Sequence, residues 1–326
     1  MAKGPFCEMF DEKKDMLKPV YFNIEVLERY FKNPKYAVNY TDYRGGISLK
    51  DEYYEFDDSH EYEYIKDFGL AYLKTDMTKR AVVVFADDLI KMPHKVQSHW
   101  FAYYLDNQCD YVPNDGFVIN LFYGEWVNDI SIYQALLMEL HYINKMCNAI
   151  TIPHIFREEF SFNDSDQNSR PNGYHNILLP TRENYFNFVN TLEKITTTNI
   201  NVKAFLHCVP PLVQSIERCY VDDDGNERPK GSVTMLREWL EKNVRTQDLE
   251  ANIIKPLKDL VKLRQTPAHK LYSNEYDEVI WEDQNQLIHS VYTAIRGLRL
   301  LLANHPNTRT VEIPSVLFDG EHIRIY

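Results

Sequence analysis

The pattern of apolar and polar positions changes near residue 128. Before that point, short runs of β-branched and aromatic residues are separated by turn-forming residues, which predicts a mixed sheet with few helices. The run at 81–85 (AVVVF) predicts a central strand, because it is apolar on both faces. Residues 36–40 and 116–122 are further strand candidates, and residues 23–32 predict a short helix.

Beyond residue 128 the spacing becomes helical. Apolar residues at Ile132, Leu136, Leu140 and Ile143 recur three or four positions apart, which predicts an amphipathic helix that ends near Cys147. Further helices are predicted over residues 182–195, 233–243, 247–264 and 279–304. The polar stretches 162–176 and 221–232 contain Pro and Gly and predict surface loops.

These elements predict an α+β fold of two domains. Residues 1–127 would form an N-terminal mixed α/β sheet domain, and residues 128–326 a mainly helical domain. The length of 326 residues is consistent with this division, since it exceeds what one ordinary small core holds.

Composition and net charge argue against several classes of function. The net charge of −12 repels phosphate backbones, so contact with nucleic acid would need a local basic patch or a partner. Neither GxGxxG nor GxxxxGK[ST] occurs, and we expect no nucleotide cofactor. Five cysteines without a CxxC pair indicate reduced thiols in the cytoplasm. No apolar run reaches the ~18 residues of a membrane span, so no membrane association is expected.

Several short segments of the sequence match part of a known metal-binding motif but lack its remaining residues. The acidic turn that begins at Asp222 lacks the glutamate that closes an EF-hand loop. Glu139, His141 and His154 do not have the HExxH spacing that places metal ligands on one helix face. We therefore expect no metal site.

The helix predicted over 247–264 carries the most unusual side chain. At 100° per residue, Ile253, Leu257 and Leu260 fall on one side of this helix. Arg264 falls near the middle of the same apolar face, where a guanidinium is unfavourable unless it is paired or lines a site. Lysines occupy the other side, at Lys255, Lys258 and Lys262.

Pro267 and His269 follow this arginine. On an unbroken helix Arg264 and His269 would diverge by about 140°. Pro267 stops the helix between them, and the resulting kink can bring both side chains to one side. The predicted helix 279–304 has an apolar stripe that can pack against the first helix.

The sequence Arg264-Gln265-Thr266-Pro267-Ala268-His269 resembles the R-x4-6-H motif of the HEPN superfamily. The resemblance covers about residues 233–305 and implies a HEPN-like four-helix bundle that dimerises, with two motifs across one cleft. Members include metal-independent ribonucleases of toxin and anti-phage systems. Gln265 departs from the smaller polar residue that often follows the arginine.

The resemblance implies roles for individual residues. His269 would transfer protons at the RNA and Arg264 would hold the phosphate, with Lys255, Lys258, Lys262 and Lys270 as an RNA path. No cofactor or metal is implied. The N-terminal part and residues of about 135–210 also resemble a group of bacterial proteins with no established activity, which adds no mechanism.

Two other interpretations remain open at this point. Arg264 could be held by a carboxylate while His269 caps a helix end, which would make both residues structural. Alternatively, the helical part is a non-catalytic HEPN-like module that dimerises or forms a larger assembly. The N-terminal domain would then bind a protein partner through the acidic, Tyr-rich segment 51–64, whose simpler interpretation is a solvated loop.

Overall fold

The computed structural model describes residues 4–56, 63–125, 129–162, 170–206, 215–244, 248–265 and 274–326. Helices and strands are mixed, which confirms the predicted α+β class. The chain divides into two compact units. The first holds residues 1–128 with 178–180 and 326, and the second holds residues 129–177 and 181–325.

A six-stranded antiparallel sheet is the centre of the first unit. Its strands are β1 (Pro19–Phe22), β2 (Tyr36–Tyr40), β3 (Arg44–Leu49), β4 (Asp67–Leu73), β5 (Asp76–Phe85) and β6 (Tyr111–Pro113). The order is β1-β5-β4-β3-β2, and β6 pairs with β4. Val83 of β5 lies opposite Tyr21 on one side and Gly69 on the other. The prediction of a central strand at 81–85 is therefore confirmed.

Short helices accompany this sheet: α1 (Pro5–Met9), α2 (Glu28–Lys32), α3 (Ala86–Ile90), α4 (His94–Phe101) and α5 (Asp115–Tyr123). A 3-10 turn, Ile24–Leu27, leads into α2. The predicted helix over 23–32 is therefore confirmed, as a 3-10 turn followed by an α-helix. The strand predicted at 116–122 is wrong, since these residues lie within α5.

Capping residues explain that error. The Asn114 side chain accepts hydrogen bonds from the backbone of Gly116 and Phe117, which starts α5. Gly124 ends it in the left-handed conformation, with φ 64°. A Cβ on Gly69 of β4 would lie 2.2 Å from Cδ1 of Phe117, so a glycine there lets α5 approach the sheet.

The second unit holds the long helices, and each predicted one is present. They are α6 (Ile132–Ile150), α7 (Arg182–Ile195), α8 (Ser232–Asn243), α9 (Lys255–Gln265) and α10 (Val279–Ala303). The helix α10 packs against α6, α9 and α7. The stripe predicted on α10 is buried throughout, at Trp281, Gln284, Ile288, Tyr292, Ile295, Leu298 and Leu302.

Smaller elements complete the second unit. The parallel pair β7 (Ile130–Ser131) and β10 (Ile323–Arg324) joins residues far apart in sequence, and α11 covers Val316–Asp319. The segment 221–232 was predicted as a loop, but most of it forms a hairpin of β8 (Cys219–Val221) and β9 (Glu227–Pro229). The Asp222 side chain accepts hydrogen bonds from Asp224 N and Asn226 N and so closes its turn.

In the acidic segment 51–64, residues Asp51–Phe56 form a 3-10 turn and Tyr64 is buried. Among the described helices, none is both long and apolar enough to cross a membrane.

Candidate functional site

The helix that carries Arg264 begins with a π-helical turn, Glu250–Ile254, and continues as α9. Ile253, Leu257 and Leu260 are buried, as the helical spacing predicted. Single π-helical turns within α-helices often accompany functional sites, because they locally change the direction of side chains.

Arg264 is the penultimate residue of α9, and its side chain is exposed. Its direction on the helix is therefore the predicted one, but the side chain is not buried. It follows the same stripe as Leu257 and Leu260, but the buried part of that stripe ends one turn earlier, at Leu260. Within the part of the chain that the structure describes, no carboxylate forms an ion pair with Arg264.

The predicted lysines of α9 differ in their surroundings. Lys258 Nζ lies 2.7 Å from Oε1 of Glu250, so a carboxylate partly neutralises its charge. Lys255 and Lys262 are exposed on the same helix. The three lysines therefore lie on one side of α9, which also carries the exposed Asp259.

His269 and Lys270 lie outside the described residues, as does Pro267. The structure thus brings Arg264 and the three lysines of α9 onto one helix. The pairing of Arg264 with His269 stays a prediction.

A buried ion pair that the sequence did not predict joins α6 and α10. Arg299 is 2% exposed and Glu139 is fully buried. Arg299 donates to both carboxylate oxygens, with Nη2 3.1 Å from Oε1, and Nη2 also donates to Leu317 O over 2.9 Å. Burial raises the pKa of the Glu139 carboxyl, and the Arg299 charge partly counteracts this effect.

Tyr292 and Arg296 lie beside this pair. The Tyr292 hydroxyl is buried beside Arg296. Burial, followed by the negative charge of Glu139, raises the pKa of Tyr292 to about 12. Arg296 Nη2 donates to Phe318 O over 2.6 Å. Two arginines of α10 therefore hold the backbone at Leu317 and Phe318, which indicates a structural role for this cluster.

A second polar cluster connects α6 to the segment after it. Asn144 is buried and exchanges two hydrogen bonds with the backbone of Phe156, over 2.9 and 3.1 Å. Its Nδ2 also lies 3.4 Å from Glu159, whose Oε2 accepts from His141 Nδ1 over 2.9 Å. This arrangement orients the imidazole and places the Nδ1 proton toward Glu159.

Metal binding by these helices was not expected, and the geometry gives each candidate ligand its own partner. Glu139 bonds to Arg299, His141 to Glu159, and His154 to Asn148. Among the described residues, no three His, Cys, Asp or Glu side chains converge as metal ligands.

One signal in the sequence marks the buried pair. Glu139 and Arg299 each lie within a strongly apolar helical run, where an unpaired charge is unfavourable. The sequence alone does not show that the two meet.

Comparisons of the chain with protein-family models, curated proteins and solved structures find no match.

Proposed function

We propose that this protein is a metal-independent ribonuclease of HEPN type, acting through Arg264 and His269. One observation carries the proposal: Arg264 is an exposed arginine at the end of α9, without a carboxylate partner among the described residues. A guanidinium held structurally would be paired, as Arg299 is with Glu139. An unpaired one keeps its donors available for a phosphate.

The proposed chemistry divides the work between the two residues. Arg264 binds the scissile phosphate through two parallel N–H donors and stabilises the charge that develops on it. His269 accepts the proton of the attacking 2′-hydroxyl as the 2′-oxygen bonds to phosphorus. The bond from phosphorus to the 5′-oxygen breaks, and the leaving 5′-oxygen takes a proton from water, which gives a 2′,3′-cyclic phosphate and a 5′-hydroxyl. No metal takes part in these steps.

The proposed RNA path runs along α9. Lys255 and Lys262 supply exposed positive charge on the helix that ends at Arg264. Lys270 would extend the path beyond the helix. Lys258 contributes less, because Glu250 partly neutralises it. These lysines lie on the side of α9 opposite to Arg264, so an RNA that contacts both would pass around the end of the helix.

The proposed domain layout is an N-terminal sheet domain followed by a helical domain that carries the nuclease. We place the HEPN-like core at about residues 233–305, where the described part of the chain has the long helices α8, α9 and α10. A fourth helix of the bundle would come from outside this range, and α10 packs on both α6 and α7. A homodimer through this domain would set two motifs across one cleft.

The test is cleavage of labelled tRNA and mRNA in EDTA by the full chain and its variants. We expect cleavage that survives chelation and is lost in Arg264→Ala and in His269→Ala. The matched controls are Arg309→Ala and His289→Ala, which remove exposed residues of the same types from the second unit. Cleavage that persists unchanged in Arg264→Ala or His269→Ala contradicts the proposal.

A non-catalytic interaction or sensor protein that binds a protein partner is the second candidate function. It is favoured by exposed apolar side chains on the first unit, at Leu121, Phe122 and Tyr123 of α5. Absence of RNA cleavage by the full chain, together with peptide binding that is lost in Tyr123→Ser, would select this candidate over the enzyme.

A further inference from the structure

The last turn of α5 exposes three consecutive large apolar side chains. Leu121 and Phe122 are each 40% exposed, and Tyr123 is 73% exposed. The helix buries its other face, through Phe117 and Asn120. We call Leu121, Phe122 and Tyr123 the α5 patch. Several large apolar side chains exposed at one helix end mark an interaction site more often than a single exposed residue does.

The α5 patch is held in place by contacts within the first unit. The Phe122 ring meets the Phe85 ring edge-on, with centroids 5.1 Å apart. Asn120, one turn before the end of α5, accepts a hydrogen bond from Arg44. Gly124 then closes the helix in the left-handed conformation. The aromatic side chains are thus presented by a fixed helix end, which lowers the entropy that a partner must remove on binding.

Negative charge borders the α5 patch. Phe85, which contacts Phe122, leads directly into α3 with Asp87 and Asp88. Burial, followed by the charges of Asp87 and Asp67, raises the pKa of the Asp88 carboxyl.

Some of these carboxylates form ion pairs with basic side chains and others do not. Asp67 pairs with Arg44 over 2.7 Å, and Asp87 pairs with Lys91. Within the described part of the chain, neither Asp88 nor the exposed Glu125 beside the patch forms an ion pair. The border of the patch therefore carries an excess of negative charge.

We propose that the α5 patch binds a basic amphipathic segment of a protein partner. The apolar face of that segment would cover Tyr123 and Phe122, and its Lys or Arg residues would face Asp88 and Glu125. Charge complementarity selects this occupant. RNA and anionic lipid would place phosphates against the same carboxylates. A second copy of the patch would bring like charges together across the interface, which is unfavourable.

This inference is independent of the proposed ribonuclease activity, since it uses residues of the first unit only. Loss of RNA cleavage in Arg264→Ala would leave it unaffected, and failure of peptide binding would leave the proposed cleavage site unaffected.

The test uses two synthetic amphipathic peptides with the same leucine face and either lysine or glutamate on the other face. Binding of each fluorescent peptide to the full chain is followed by anisotropy over a range of salt concentrations. We expect the lysine peptide to bind and the glutamate peptide not to bind. Tyr123→Ser should weaken binding about tenfold, because buried aromatic side chains dominate interface energies. Asp88→Asn should weaken binding less and reduce its salt dependence.

Tyr123 is the primary position because Phe122 packs on Phe85, and its replacement could disturb the fold. Matched controls come from the hairpin of the second unit, where Tyr220 is 51% exposed and Asp223 is exposed. Tyr220→Ser and Asp223→Asn should leave the affinity unchanged.

Three results would overturn the proposal. Absence of binding, or equal binding of the two peptides, would contradict the role of charge complementarity in choosing the partner. Equal weakening by Tyr220→Ser and Tyr123→Ser shows unspecific attraction. Self-association in sedimentation velocity that disappears in Tyr123→Ser assigns the α5 patch to an interface between copies of the chain.

Discussion

The buried pair between α6 and α10 permits the sharpest test of the structure. Arg299→Leu removes a guanidinium that bonds to both oxygens of Glu139 and to Leu317 O, and it leaves a fully buried carboxylate without its ion-pair partner. Removing one partner of a buried pair costs roughly 3–5 kcal/mol. Native domains are stable by only about 5–15 kcal/mol. At ~2–4 °C per kcal/mol for a unit of this size, Tm should fall by about 6–20 °C.

The loss should also depend on pH. Burial raises the pKa of the Glu139 carboxyl, and without Arg299 the largest opposing effect is gone, so this pKa rises further. A carboxyl with a raised folded-state pKa contributes stability that is fully present below the unfolded-state pKa. That stability is lost as the pH rises through the folded-state pKa. The deficit of Arg299→Leu relative to the parent protein should therefore grow from acidic to neutral pH.

Urea unfolding followed by circular dichroism at several pH values measures both effects. Adding Glu139→Leu to Arg299→Leu should restore most of the lost stability, because the cost arises from an unpaired charge. Leu317 O would still lack its donor, which leaves a deficit of about 1 kcal/mol. The control Arg309→Leu, at an exposed arginine, should change stability by less than about 0.5 kcal/mol. Additive losses in the double variant, or a deficit that is independent of pH, would refute the reasoning.

Two further predictions concern how α5 is built onto the sheet. Gly69→Ala would place its Cβ 2.2 Å from Cδ1 of Phe117, and we expect a loss of about 1–3 kcal/mol in urea unfolding. An unchanged midpoint would show that the ring moves without cost. Asn114→Ala removes the side chain that accepts from Gly116 N over 2.8 Å, and it should cost about 1 kcal/mol. The exposed Asn107→Ala is its control, and equal losses in the two variants would contradict the capping role.

The fold was predictable from sequence where one periodicity dominated. The spacing from Ile132 to Ile143 fixed α6, and the predicted bounds of α7 agree with the structure. At 116–122 the spacing did not predict the correct element, because apolar residues occupy nearly every position and fit a strand and a helix equally. The capping residues Asn114 and Gly124 were the signal that separates the two, and the prediction did not use them.

The two unusual arginines show why the site was harder to predict than the fold. Arg264 and Arg299 both continue an apolar helical stripe. A helical wheel shows in which direction a side chain points, but it does not show whether the side chain is buried. Arg299 is buried because a carboxylate on another helix, 160 residues away in sequence, compensates it. Arg264 lies beyond the buried end of its stripe and is exposed. Only the packing of neighbouring helices distinguishes these outcomes. Because Arg299 is buried and bonded to Glu139 and Leu317 while Arg264 is exposed, Arg264 is the one of these two arginines that can offer its donors to a ligand.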